Sequence, residues 1–190
     1  MIVLDNIVKQ YGNLFANRNV TLDFSCGEIH AVVGENGAGK STLLEIAYGH
    51  KKADSGSIVI DGNPVDLQNY SPRQAIANGI GMVHQHFMLV EPFSIIDNII
   101  LGHEPKRNGV LDRSLVRSEI ERLAFLLELN VSLDTTMEDI SVGEQQRVEI
   151  LKALWRGAKL LILDEPTAVL APSEVESLFL VLKQLVQDGM

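Results

Sequence analysis

Residues 34–42 read Gly34-Glu35-Asn36-Gly37-Ala38-Gly39-Lys40-Ser41-Thr42. Gly34, Gly39, Lys40 and Ser41 fall on the spacing G-x-x-x-x-G-K-[ST] of a phosphate-binding loop. Three glycines let the backbone turn tightly and point several N–H groups inward. A helix starting at the loop adds partial positive charge where a phosphate would lie. Lys40 supplies a full charge to the β- and γ-phosphates, and Ser41 offers a hydroxyl to Mg²⁺. The flanks suit this reading. Glu28–Val33, with Ile29, Ala31, Val32 and Val33, is expected to be a buried parallel strand. Ser41–Tyr48 carries Leu43, Leu44, Ala47 and Tyr48 at helical spacing. The plainer alternative, a glycine-rich turn with a surface lysine, explains neither flank.

The bulk composition bounds the rest. With 190 residues, 46% apolar and 22% charged, the chain has length for one globular domain with a small subdomain. Sixteen basic against 25 acidic residues give a net charge of −9. That argues against a broad nucleic-acid surface, which needs a basic stripe. Cys26 is the only cysteine, so no disulfide framework exists and a reducing compartment is the simplest reading. No apolar run approaches the ~20 residues of a membrane span. The N-terminal Met-Ile-Val-Leu-Asp lacks the basic region of a signal peptide. The five histidines show no metal-ligand spacing.

Further along the chain, residues 1–30 alternate as β structure around a Gly12-Asn13 turn. Tyr11 in that turn is either edge packing or a flat stacking surface for a purine. Ser57–Ile60 is a strand, turning through Asp61-Gly62-Asn63-Pro64 to Val65–Leu67. Ser71-Pro72-Arg73-Gln74 starts a helix that stops near Gly79. Ile80–His84 is a buried strand with Gln85 at its carboxyl end, where α/β sheets gather ligands. Gln85 can therefore ligate a metal or a water. Phe87–Leu101 is unusually apolar. About two-thirds of it suits a core, and the remainder an exposed patch for a partner. Residues 104–113 are polar and turn-rich. Ser114–Leu129 is an amphipathic helix, with Leu115, Ile120, Leu123, Leu126 and Leu127 on one side.

Ser141-Val142-Gly143-Glu144 opens a helix running to about Arg156 with a capping box. It is either only that cap, or also an anion site built from Ser141 and the Gly143 N–H. Leu160–Leu163 is a buried strand ending in Asp164-Glu165. Two adjacent carboxylates there are costly without partners or work. Behind a phosphate-binding loop, Asp164 is the expected holder of the Mg²⁺ shell. Glu165 stands where it can orient a water toward the γ-phosphate. Pro172 opens a last helix.

Taken together, these parts resemble the ATP-binding subunit of an ABC transporter from Tyr11 to the C-terminus. The resemblance makes Tyr11 the aromatic that stacks on the base, and Gly34–Thr42 the Walker A loop that binds ATP. Gln85 becomes the Q-loop glutamine, catalytic and metal-directed beside Ser41 and Asp164. Ile140–Glu144 becomes the signature, which meets ATP in trans through Ser141, Val142, Gly143 and Glu144. Leu160–Asp164 is then Walker B, and Glu165 the catalytic glutamate. Met82–Val90 and the Ser-Val-Gly-Glu signature look most like the nucleoside or simple-sugar importers, where two ATP-binding halves commonly share one polypeptide. The implied fold is α/β: a P-loop NTPase core with a mostly parallel sheet, an antiparallel β subdomain and a helical subdomain at about residues 86–157. The implied cofactors are ATP and Mg²⁺. The implied partners are transmembrane permease subunits docked near Gln85–Leu101 and a second ATP-binding domain, head to tail, at the cytoplasmic face of the membrane. A soluble ABC ATPase acting on ribosomes or DNA, and a fragment that binds ATP without turnover, are the alternatives.

Three departures qualify the resemblance. The usual Leu-Ser-Gly-Gly-Gln is here Ile140-Ser141-Val142-Gly143-Glu144. The usual Ser-Ala-Leu-Asp after Walker B is Ala168-Val169-Leu170-Ala171. No histidine follows Asp164, whereas the family places its switch histidine on the strand after the last helix. The resemblance thus implies a C-terminally incomplete domain with poor turnover.

Overall fold

The computed structural model describes all residues, 1–190. β1 (Ile2–Tyr11) and β2 (Leu14–Phe24) form a long hairpin closed at Gly12-Asn13. β3 (Ser55–Ile60) pairs antiparallel with β1 on its other side, and β4 (Asn63–Pro64) with β3. The sheet order is β2-β1-β3-β4. The expected turn through Asp61-Gly62-Asn63-Pro64 is tighter, since Asn63–Pro64 already pair as β4, and the Val65 N–H adds one bond to Ile58 O. The β1–β2 register shifts around Asn6 and Asn19, both with φ 50°. Asparagine tolerates this left-handed geometry better than most residues.

α1 (Lys40–Ala47) follows the glycine loop, and α2 (Pro72–Ala77) starts at Ser71 with Pro72 in its first turn. Ser71 adopts the extended capping backbone, but its hydroxyl turns to the Gln74 side-chain oxygen, not to a backbone N–H. β5 (Ile80–Val83), buried throughout, pairs with β8 (Leu160–Leu163). α3 (Ile95–Ile100), the hairpin β6 (Lys106–Arg107) and β7 (Val110–Leu111), α4 (Ser114–Leu126), α5 (Val142–Trp155) and α6 (Pro172–Gln187) complete the order.

Two compact units divide the chain. The first comprises residues 1–82, 159–164 and 183–190. Its core joins Ile2, Leu4 and Ile7 of β1 and Ile58 and Ile60 of β3 to Leu43 and Ile46 of α1, with Ile80, Met82 and Ile162. Tyr70 is buried there and donates its hydroxyl to Ala47 O at 2.9 Å. The second unit comprises residues 83–158 and 165–182. In it α5 packs on both α3 and α4. Ile95, Ile96, Ile99, Ile120, Leu127, Met137, Val148 and Ile150 are buried.

Three expectations need correction. Residues 28–33 form no strand, with Ile29 48% and Val33 89% exposed. A strand exists through its ladder, and no segment of the chain pairs with this one. The turn-rich segment 104–113 holds the small β6–β7 hairpin. Asn108 and Gly109, both at positive φ, are the Asn-Gly pair that two-residue hairpin turns prefer. On α4, Leu115 is 50% exposed and the buried face is Ile120 and Ala124. Leu115 lies in the first turn, where the helix begins outside the packed region.

Candidate functional site

The glycine loop is shaped by backbone fit. Gly37 and Gly39 both have positive φ, 82° and 92°, a region open to glycine without steric cost. Around Gly37 there is open space, whereas a Cβ on Gly39 would overlap the Ala16 carbonyl. Asn17, buried on β2, donates from Nδ2 to Gly39 O at 3.2 Å. The β1–β2 hairpin is thus seated on the loop at Gly39. Nothing in the sequence around Asn17 marks it for this task. Lys40 Nζ donates to Gly34 O at 2.7 Å and Glu35 O at 2.9 Å, so the lysine arches back over the loop. Ser41 and Thr42 lie in the first turn of α1.

Ser41 Oγ donates to Asp164 Oδ1 at 2.9 Å across 123 residues of sequence. Two hard oxygens at that distance match neighbouring ligands of an octahedral Mg²⁺ shell, whose bonds are about 2.0–2.1 Å. No group of three or more Asp, Glu, His or Cys side chains could cage a metal. The Ser41 and Asp164 oxygens therefore fit Mg²⁺.

Tyr11, at the end of β1, is 47% exposed. Lys9 Nζ lies 5.4 Å from its ring centroid.

In the second unit, Gln85 Nε2 donates to Glu165 Oε2 at 3.1 Å. Glu165 has φ 50°, a left-handed conformation uncommon outside glycine and asparagine. Such strain tends to gather at functional positions. α5 holds the backbone beside both partners. Gln146 Nε2 donates to Pro166 O at 2.7 Å. Glu149 Oε1 accepts the Met88 N–H at 2.7 Å, and Lys152 Nζ donates to Met88 O at 2.9 Å. Burial pushes the Lys152 ammonium below the usual lysine range, partly opposed by Glu149. Asn98, fully buried, bonds Val90 N–H through Oδ1 and the Val90, Phe93 and Ser94 carbonyls through Nδ2. Met88 and Phe93 nevertheless point outward, so a firmly anchored segment carries an exposed apolar surface.

The head of α5 has a complete capping box. Ser141 Oγ accepts from the Glu144 N–H at 3.3 Å, and Glu144 Oε2 takes both the Ser141 N–H and hydroxyl at 2.8 Å. The Glu174 carboxylate lies where a Cβ on Gly143 would be. Ser141, Gly143, Glu144, Arg147 and Glu174 line one shallow cavity of about 120 Å³. Arg147 does not reach out of it. Its guanidinium is spent on Glu128 O and Ser177 Oγ, at 2.8 and 2.7 Å. Val142, 43% exposed, makes no part of this polar lining.

A loop closed on its own lysine, with a hydroxyl and a carboxylate converging at its first helical turn, defines a P-loop nucleotide-binding protein. The whole chain superimposes on the ADP conformation of MJ1267, an ATP-binding cassette of an ABC transporter, with TM-score 0.87 and 26% identity over 78% of that chain. The dimeric MJ0796, a bacterial ABC transporter cassette, matches 99% of the chain and 84% of its own, with TM-score 0.83 and 28% identity. Residues 17–168 match the ABC transporter family, and the chain belongs to it. Among its relatives are the guanosine import ATP-binding protein NupO of Bacillus subtilis, 47% identical over 189 residues, and the nucleoside import ATP-binding protein NupA of Lactococcus lactis, 46% identical. The ribose import ATP-binding protein RbsA of Hahella chejuensis is 41% identical. Each match takes in 100% of this chain but only 37–38% of the relative. No helix is long and apolar enough to cross a membrane.

Proposed function

We propose that this chain binds MgATP and hydrolyses it to power import of a nucleoside or simple sugar through an ABC transporter. The observation that carries the nucleotide reading is the 2.9 Å pair of Ser41 and Asp164 beside the Lys40 loop. Gly34–Thr42 cradles the phosphates, Lys40 leaves the Gly34 and Glu35 carbonyls for the β- and γ-phosphates, and Tyr11 carries the base. Ser41 and Asp164 would hold Mg²⁺, which would neutralise phosphate charge. Glu165, oriented by the Gln85 amide, accepts a hydrogen bond from the attacking water. The import reading draws on relatives whose names specify guanosine, nucleoside and ribose import.

Permease subunits dock on the apolar surface of Gln85–Leu101, at the cytoplasmic face of the membrane. A second ATP-binding domain, set head to tail, presents its nucleotide to Ser141–Glu144. Val142 and Gly143 contribute backbone there. The test is uptake of labelled guanosine and ribose by cells lacking the gene. Loss of either uptake, restored by the wild-type gene but not by Glu165→Gln, supports the reading. Unchanged uptake of both, with the protein sedimenting on ribosomes, favours a soluble ABC ATPase instead.

A further inference from the structure

Tyr11 is held on one side by residues that no step above uses. The Lys9 ammonium, 5.4 Å from the ring centroid, is not a free surface charge. It donates to Asp54 Oδ1 at 2.8 Å, and its side chain is only 17% exposed. Asp54 is itself fixed, because its other oxygen accepts the Gln10 N–H at 2.7 Å. The lysine and this N–H, in that order, hold the Asp54 carboxyl below the usual range.

A tyrosine at a hairpin tip ordinarily samples several rotamers and offers both faces to solvent. Here a cation occupies the neighbourhood of one face. Cation–π attraction favours that placement, and the carboxylate prevents the cation from following solvent. We infer that Lys9, locked by Asp54, is a positioning residue that fixes Tyr11 as a one-faced platform for the base of a nucleoside triphosphate.

This rests on Tyr11 carrying the base, and the experiment separates the two claims. Wild type, Tyr11→Ala, Lys9→Met, Lys9→Arg and Asp54→Asn are titrated calorimetrically with MgATP and with Mg-tripolyphosphate, which lacks base and sugar. Tyr11→Ala should weaken MgATP about tenfold, the scale of one stacked base, and leave tripolyphosphate unchanged. Lys9→Met and Asp54→Asn should each weaken MgATP about threefold or more, a typical cation–π effect, again sparing tripolyphosphate. Lys9→Arg, which also stacks on aromatic faces, should retain wild-type affinity. If Tyr11→Ala weakens MgATP but Lys9→Met and Asp54→Asn do not, the positioning role is wrong and the platform stands. Equal weakening of tripolyphosphate by Lys9→Met would also overturn it, since the lysine would then act without the ring. If Tyr11→Ala has no effect, the platform reading itself fails.

Discussion

Gln85 and Glu165, 80 residues apart, are joined by a 3.1 Å hydrogen bond, and each lies just past the end of its strand. The segments carrying them are gripped by one face of α5. Gln146, Glu149 and Lys152, at spacing i, i+3, i+6, bond Pro166 O and both ends of the Met88 peptide. Glu149 and Lys152 are nearly buried and 4.0 Å apart. Such a pair is a poor source of stability but costly to break, because removing one partner strands the other.

Glu149→Gln keeps an acceptor for the Met88 N–H and should cost about 1–2 kcal/mol, while Glu149→Ala, which leaves the N–H unpartnered and the half-shielded Lys152 ammonium without its counter-charge, should cost about 3 kcal/mol or more. Urea unfolding of the two variants measures the difference. Equal costs would show that the carboxylate has no partner worth keeping.

The glycine loop offers a controlled comparison. Gly37→Ala and Gly39→Ala both place a side chain at positive φ, but only the second meets the Ala16 carbonyl. Gly37→Ala should cost about 1–2 kcal/mol, the left-handed penalty alone. Gly39→Ala should cost clearly more and weaken nucleotide binding, since the hairpin must lift off the loop. Thermal unfolding of both variants decides it, and similar losses would place the hairpin elsewhere.

Acid sensitivity should trace partly to Asp97. Arg113 first, at 2.6 Å, and Ser94 after it hold its carboxyl below the unperturbed value of 3.8. With the folded-state value depressed, the unfolded chain binds the proton more readily. The contribution is therefore full above pH 3.8 and is lost as pH falls through the lower folded value. The stability gap between wild type and Asp97→Asn should be constant above about pH 5 and close below 3.8, as read by denaturant melts across pH. A gap that widened in acid would contradict the ion pair.

Ser141 separates a cap from a ligand. Ser141→Ala should cost about 1 kcal/mol of stability as a lost N-cap. If it also meets the partner domain's nucleotide, ATP-dependent dimerisation in a Glu165→Gln background should fail while monomer binding persists. Glu144 now occupies the Ser141 hydroxyl and repels a phosphate, so Glu144→Gln should strengthen that dimer. Sedimentation with ATP reads all three variants, and unchanged dimerisation in Ser141→Ala would leave only the cap.

The sequence was most legible where spacing itself is the chemistry. The loop and the Ser141 cap follow from local patterns, while the pairing of Asp164 with Ser41 was implied by the family resemblance. Residues 28–33 misled because apolar, β-branched content measures fitness for a strand, not the presence of a neighbour to pair with. Leu115 misled because periodicity identifies a helix face without saying where packing begins along it. Asn17, Asn98, Glu149 and Glu174 carry no local signal, since each acts on backbone distant in sequence. The Asn108-Gly109 hairpin was legible in principle, but a turn-rich reading masked its two-residue strands.

Calorimetric titration with MgATP, wild type beside Lys40→Ala, tests the nucleotide assignment most directly. Lys40 is the charge that the loop holds over its own carbonyls, and transferring it to the phosphates is the step on which the rest depends. The account predicts binding by the wild type and at least tenfold weaker binding by the variant, about 1.4 kcal/mol or more. Equal affinity in the two would contradict it.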